Sequence, residues 1–250
     1  MKDQVIGLVG VRKLYRLGSV EVVALAGVDL EVYRGDFTAL AGPSGSGKTT
    51  LLNLIGCIDK ASSGRVFVEG QDITDKPLDA LADLRATRIG FIFQTFNLVP
   101  VLNSFENVEY PLLLSGVPRK ERHERVWSWL RNVGLESQAR QRPDQLSGGQ
   151  RQRVAIARAM IMKPVLVLAD EPTANLDSET ASQILDLLDQ INRETRTTFV
   201  FATHDPNIIG RAHRRIRLRD GRIVADERNG VVNSARLQPI ATTGSRSQNA

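Results

Sequence analysis

Phe37-Thr38-Ala39-Leu40-Ala41 runs directly into Gly42-Pro43-Ser44-Gly45-Ser46-Gly47-Lys48-Thr49-Thr50, a short apolar strand followed by a glycine-rich turn. A helix is expected next, over residues 49–58. Residues 42–49 match G-x-x-x-x-G-K-[ST] with the strand before and the helix after that the motif requires. Glycine lets the backbone curl so that successive N–H groups point inward at phosphate oxygens. The following helix adds its positive end. Lys48 can reach β- and γ-phosphates, and the Thr49 hydroxyl suits a Mg²⁺ ligand. The stretch is therefore read as binding a nucleoside triphosphate through Gly42, Pro43, Ser44, Gly45, Ser46, Gly47, Lys48, Thr49 and Thr50.

Further along, Val165-Leu166-Val167-Leu168-Ala169 ends in Asp170-Glu171. Ligands in open α/β sheets sit outside the carboxyl ends of strands, which brings both acids to the phosphate loop. Successive strand residues point to opposite faces, so the acids are expected to divide the work. Asp170 is placed to hold Mg²⁺ through its water shell, and Glu171 to orient and deprotonate the attacking water.

Outward from these two motifs, short strands are expected at 5–9, 21–25 and 28–32, with a strand pair across 64–70. An apolar strand is expected at 198–202, and a hairpin over 215–224 around Asp220-Gly221. Residues 94–162 read as mostly helical. Within them, 119–133 places Val126, Trp127 and Leu130 on one helical face. Trp127 and Trp129 stand two apart, so at least one is expected to be exposed or against a partner. An amphipathic helix follows at 178–192. Strands alternating with helices argue for a mostly parallel sheet covered on both faces. The helical stretch, taken as 95–162, reads as a lobe inserted in a core of residues 5–228. Residues 229–250 carry no acid and are expected to be a flexible tail.

With 250 residues, 42% hydrophobic and 24% charged, the chain has ordinary globular composition. Its single cysteine, Cys57 among Leu54, Ile55 and Ile58, excludes a disulfide framework and reads as packing. No apolar run approaches the roughly 20 residues of a spanning helix, and no signal-length apolar block follows the start. A membrane role is thus expected to come through a partner. Net charge is +5, but basic residues are scattered among acids without a basic stripe interleaved with aromatics, so no nucleic-acid partner is expected.

Leu146-Ser147-Gly148-Gly149-Gln150 precedes a basic helix expected over 151–162. Physically this is either a second anion site at a helix start or an ordinary turn. A second anion site is redundant in one chain unless it serves a different nucleotide or another subunit's. Leu-Ser-Gly-Gly-Gln after a phosphate loop resembles the signature of ABC-type ATPases, and the resemblance covers about residues 5–227. It implies an α/β fold: a RecA-like P-loop core, an N-terminal antiparallel β region and an inserted helical subdomain. It implies that ATP is the nucleotide, with Tyr15 stacked on adenine. Gln94, ending Gly90-Phe91-Ile92-Phe93, would link Mg²⁺ to a transmembrane partner. Ala174-Asn175-Leu176-Asp177 resembles the D-loop, and His204 the switch histidine at the γ-phosphate. Two copies would stand head to tail, each phosphate loop facing the other copy's Ser147, Gly148 and Gly149.

Gly56-Cys57-Ile58-Asp59-Lys60, Gln94-Thr95-Phe96-Asn97-Leu98-Val99-Pro100 and Glu106-Asn107-Val108 are similar to the MacB, LolD and FtsE branch. Ala174 departs from that branch's frequent glycine. The branch implies a chain peripheral to the cytoplasmic face of the membrane, bound to a separate MacB/LolC/FtsX-like permease of four transmembrane helices. Its implied work is export or lipoprotein release, or alternatively FtsE-like regulation of cell-wall hydrolysis without transport. ABC ATPases of translation or DNA repair carry two cassettes or one split by a coiled coil; this chain shows one uninterrupted cassette.

Overall fold

The computed structural model describes residues 3–229 and 231–232. It opens with β1 (Gln4–Leu17) and β2 (Val20–Tyr33), each 14 residues long, where three short strands were expected. Gly10 (φ 57°) and Gly27 (φ 93°) sit beside the register shifts between the two strands, so the ribbon bends without losing its pairing. β3 (Phe37–Ala41) then delivers the glycine turn, and α1 (Lys48–Ile55) follows. This helix stops short of 58 because Gly56 closes it and Cys57 turns left-handed at φ 56°.

β4 (Ser63–Val68) and β5 (Gln71–Asp72) make the expected strand pair. α2 (Ala82–Arg88) leads into β6 (Ile89–Phe93). The lobe between β6 and β7 (Leu166–Asp170) is built of α3 (Ser104–Leu114), α4 (Arg119–Asn132) and α5 (Gly148–Met160). The chain returns through α6 (Ser178–Thr195), β8 (Thr198–Thr203), α7 (Pro206–Arg211), β9 (Arg214–Arg219) and β10 (Arg222–Arg228). β9 and β10 form the expected hairpin, with Asp220 and Gly221 at φ 49° and 70°. Beyond it, β11 (Val231–Val232) pairs with β10. The rest of the expected tail, residue 230 and 233–250, lies outside the described residues.

Two sheets result. One is antiparallel, in the order β2-β1-β4-β5; the other runs β11-β10-β9-β3-β8-β7-β6 and is parallel from β9 to β6. The pleat of the parallel sheet sorts its side chains into two cores. Phe37, Ala39, Val167, Ala169, Phe199 and Phe201 face the helical lobe and α6. Leu40, Leu166, Leu168, Val200 and Ala202 face α1 and the antiparallel sheet. Near-continuous apolar runs are what burial on both faces demands. The centre of the first core is a phenylalanine cluster, with Phe37 and Phe201 ring centroids 4.6 Å apart and both side chains fully buried. Phe201→Ala is expected to lower unfolding free energy by about 3–5 kcal/mol in urea titration; a loss under about 1 kcal/mol would mean that the site collapses freely.

In α4, Val126 and Leu130 are fully buried. Trp127 and Trp129 flank them, and both are half-buried against the same core. Neither tryptophan is fully exposed, and both keep part of their surface open. Each ring lies along one shoulder of the buried stripe, where an indole can cover apolar surface and keep its N–H accessible. The Trp127 N–H donates to His123 Nε2 at 3.2 Å.

Candidate active site

β3 ends between β8 and β9, so the glycine turn emerges at the carboxyl edge of the parallel sheet. Gly45 and Gly47 take φ of 76° and 102°, the left-handed region that favours glycine. A Cβ on Gly47 would meet the Ala24 carbonyl at 2.5 Å, and one on Gly42 the Leu218 carbonyl at 2.3 Å. The loop is thus seated directly on β2 and β9. Lys48 Nζ donates to the Gly42 and Pro43 carbonyls at 2.8 and 3.0 Å, lying across the loop.

The loop walls a cavity of about 690 Å³. Tyr15, Pro43, Ser44, Gly45, Gly47, Lys48, Thr49, Thr50, Gln94, Asp170, Glu171 and His204 all line it. Among the expected residues, Gly42 and the buried Ser46 sit behind the loop and shape it. Ser147, Gly148 and Gly149 are absent from the lining.

The Thr49 hydroxyl donates to Asp170 Oδ2 at 3.2 Å. Burial pushes the Asp170 carboxyl above its usual range, Glu171 adds to the rise, and the Thr49 bond and Lys48 work against it. Oxygen ligands on a carboxylate held in this way fit a hard cation, whose charge would restore the ionised form. Glu171 diverges from Asp170, though pleat alternation is not the reason: β7 ends at Asp170, and Glu171 takes a left-handed φ of 46°. Its N–H still donates to the Ala202 carbonyl at 2.9 Å. The Glu171 carboxylate accepts from the Thr203 hydroxyl at 3.0 Å and the His204 N–H at 3.2 Å. It also meets His204 Nδ1 at 2.5 Å.

At the other end of the cavity, Tyr15 pairs across the ribbon with Val22, and its hydroxyl donates to Asp59 Oδ2 at 2.9 Å. Val22, Val23 and Ala24 line the cavity beside it and were not read from the sequence. The signal was there: two adjacent valines in one strand cannot both face the core, and both remain more than two-fifths exposed. Asp59 was also missed as an anchor. It receives Lys13 Nζ at 2.6 Å as well as Tyr15. Cys57, next to this group, is buried and its thiol is pushed up to about 11 by that burial, in keeping with a packing role.

The basic helix expected from 151 begins at Gly148 and ends at Met160. Ser147 caps it, accepting from the Gln150 N–H while Gln150 Oε1 receives the Ser147 N–H. A Cβ on Gly149 would run into Thr180 Cγ2, so α6 packs closely on this helix start and a side chain there would have to displace Thr180. Asn175 ties this region to the cavity by donating to the Gln94 carbonyl at 2.9 Å.

The strand order, the phosphate loop after β3 and the helical lobe before β7 define a P-loop ATPase cassette. The chain belongs to the ABC transporter family, whose model matches residues 25–174, and is an ATP-binding protein of that family. It is 48% identical to an uncharacterized ABC transporter ATP-binding protein of Thermotoga maritima, covering 92% of this chain and 97% of that one. It is 50% identical to the lipoprotein-releasing system ATP-binding protein LolD of Anaeromyxobacter dehalogenans, covering 88% and 92%. Among solved structures, it is similar to the dimeric ATP-binding cassette MJ0796 in a post-hydrolysis state bound to ADP and Pi. That likeness has a TM-score of 0.82 and 43% identity, covering 90% of this chain and 98% of that chain; a cassette of that name comes from Methanocaldococcus jannaschii.

Proposed function

We propose that the chain hydrolyses ATP as a head-to-tail dimer at the cytoplasmic face of a membrane. There it drives a separate four-helix permease of the MacB/LolC/FtsX kind in export or lipoprotein release. The observation that carries the ATPase half is the grip on Glu171 by Thr203 and His204, at a cavity that also holds Lys48, Thr49 and Asp170. Glu171 takes the proton of the attacking water, and His204, whose ring nitrogen lies against it, keeps that carboxylate aimed. Lys48 and the loop N–H groups bear the phosphate charge. Thr49, Asp170 and Gln94 would hold Mg²⁺, which supplies electrostatic neutralisation of the phosphates. Tyr15, with Val22 and Val23, offers an apolar shelf for adenine.

Dimerisation is supported by Ser147, Gly148 and Gly149, a capped helix start pointing to no part of the chain's own cavity lining. The permease half is supported by a second groove of about 830 Å³, between α2, β6 and the helical lobe. Ile58, Phe91, Phe93, Tyr110, Leu114 and Met162 are among its lining residues. Leu114 on its rim is 71% exposed, a large apolar side chain awaiting cover. It is further supported by a 44% identical macrolide export ATP-binding/permease protein MacB of Syntrophobacter fumaroxidans, of which this chain spans 34%. The test is to recover the tagged chain with ATP from detergent-solubilised native membranes and identify its companions by mass spectrometry. A four-helix permease with an extracytoplasmic domain is expected. Ribosomes or nucleic acid without any membrane protein would overturn the transporter reading, and a cell-wall hydrolase system would move it to regulation without transport.

A further inference from the structure

The segment just after Gln94 is bent in a way its residues do not favour. Phe96 and Asn97 are consecutive non-glycine residues at φ 63° and 48°. L-residues avoid that region singly and more so in pairs, so something outside the segment has to hold it. Local bonds contribute: the Asn97 N–H donates to the Thr95 carbonyl at 2.7 Å, and the Thr95 hydroxyl to Asn97 Oδ1 at 2.8 Å. The external restraint comes from α5. Arg158 donates from Nη1 to the Asn97 carbonyl at 2.6 Å and from Nη2 to the Phe96 carbonyl at 2.9 Å. One guanidinium thus spans both strained peptides. Seven residues earlier, on the same helical face, the Arg151 guanidinium lies 5.0 Å from the centroid of the buried Phe96 ring.

Arg158 forms none of the ion pairs found among the described residues. Burial makes its charge harder to keep, lowering its pKa. A guanidinium held in that setting by two carbonyls is poorly explained as a solvated surface charge. Its place in the fold gives it a consequence. Gln94 lines the nucleotide cavity, while Phe93, Asn97 and Arg158 itself line the 830 Å³ groove on the other side of the same segment. α5 also reaches the turn that follows the carboxylate pair, with Gln152 Nε2 donating to the Pro172 carbonyl at 2.6 Å, and begins at the Ser147 cap. From Ser147 to Arg158 the helix covers roughly 16 Å.

We infer that Arg158 is a positioning residue: its two-carbonyl clamp, backed by Arg151 on Phe96, holds the bend at residues 96–97 and thereby fixes Gln94 in the nucleotide cavity. An ammonium cannot bridge both carbonyls in the planar geometry of a guanidinium, and a glutamine amide reaches only one. Arg158→Lys and Arg158→Gln therefore release the bend while leaving α5 capped and packed. The catalytic consequence rests on the ATPase reading above; the conformational one does not.

The test measures amide hydrogen exchange at residues 94–98 and ATP turnover in the purified chain and both variants. Exchange at 94–98 is expected to rise about tenfold or more with α5 amides unchanged. kcat is expected to fall about tenfold while ATP affinity stays within about twofold, because the phosphate loop is untouched. Unchanged exchange in both variants would overturn the clamp. Faster exchange with unchanged kcat would overturn its link to Gln94. A wild-type chain that does not turn over ATP would overturn the ATPase reading, while the exchange result would still decide the clamp.

Discussion

Glu171→Gln is expected to cut steady-state ATP turnover by about 10²–10⁴-fold, the range over which a positioned general base contributes. Nucleotide affinity should stay within about threefold of wild type, since the phosphate contacts belong to another part of the cavity. The substitution is nearly isosteric, and its surroundings can accept it. The His204 N–H, which now donates to Oε1, can donate to the amide oxygen, and the Thr203 hydroxyl, which now donates to Oε2, can turn to accept from the amide NH2. What disappears is the ability to take a proton from water. If the dimer closes on ATP and opens on hydrolysis, the variant should also accumulate as an ATP-dependent dimer in size-exclusion chromatography. Turnover within about threefold of wild type would remove Glu171 from the chemistry.

The second large effect contrasts two glycines of the same loop. Gly47→Ala is expected to lower ATP affinity by about 100-fold or more and to cost about 2–5 kcal/mol of stability, adding a left-handed alanine to overpacking. Gly45→Ala should cost only about 1–2 kcal/mol and leave most of the affinity intact. Both residues have positive φ, at 102° and 76°. Their surroundings differ, since a Cβ at Gly47 meets the Ala24 carbonyl at 2.5 Å and one at Gly45 meets nothing within 4 Å. At Gly47 the backbone of the loop or of β2 has to move, and the N–H groups proposed to bear the phosphate charge move with it. Titration with a fluorescent ATP analogue, alongside urea unfolding, separates the two. Equal behaviour of the variants would mean that loop conformation alone, and not its seating on β2, sets the site.

Much of this site was legible because its parts are local. The phosphate loop needs a strand, glycines and Lys48-Thr49 in one short stretch, and the carboxylate pair needs an apolar strand ending in two acids. The parts that were misread depend on partners distant in sequence. Residues 5–32 were split at glycines that in fact serve as bends inside a continuous ribbon, because the pairing partner holds the strand together through each irregularity. Trp127 and Trp129 stand two apart in sequence, and only the breadth of the core beneath α4 brings both rings part-buried onto its shoulders. Val22, Val23 and Asp59 became part of the site only through cross-strand pairing and a contact spanning 44 residues.

The sequence by itself determined the nucleotide-binding class, since residue type and spacing carry it: N–H-rich glycine turn, lysine and hydroxyl in a fixed order. It also determined the family, through Leu146-Ser147-Gly148-Gly149-Gln150 standing after that turn. Only the tertiary structure decided that Glu171 leaves the strand through a left-handed turn and is gripped by Thr203 and His204. Only it placed Gly149 against Thr180 of α6, and Arg158 on the strained bend beside Gln94. The physical reason is common to all three: side-chain direction and contacts between distant segments are fixed by packing, and packing leaves no periodicity or motif in the linear sequence.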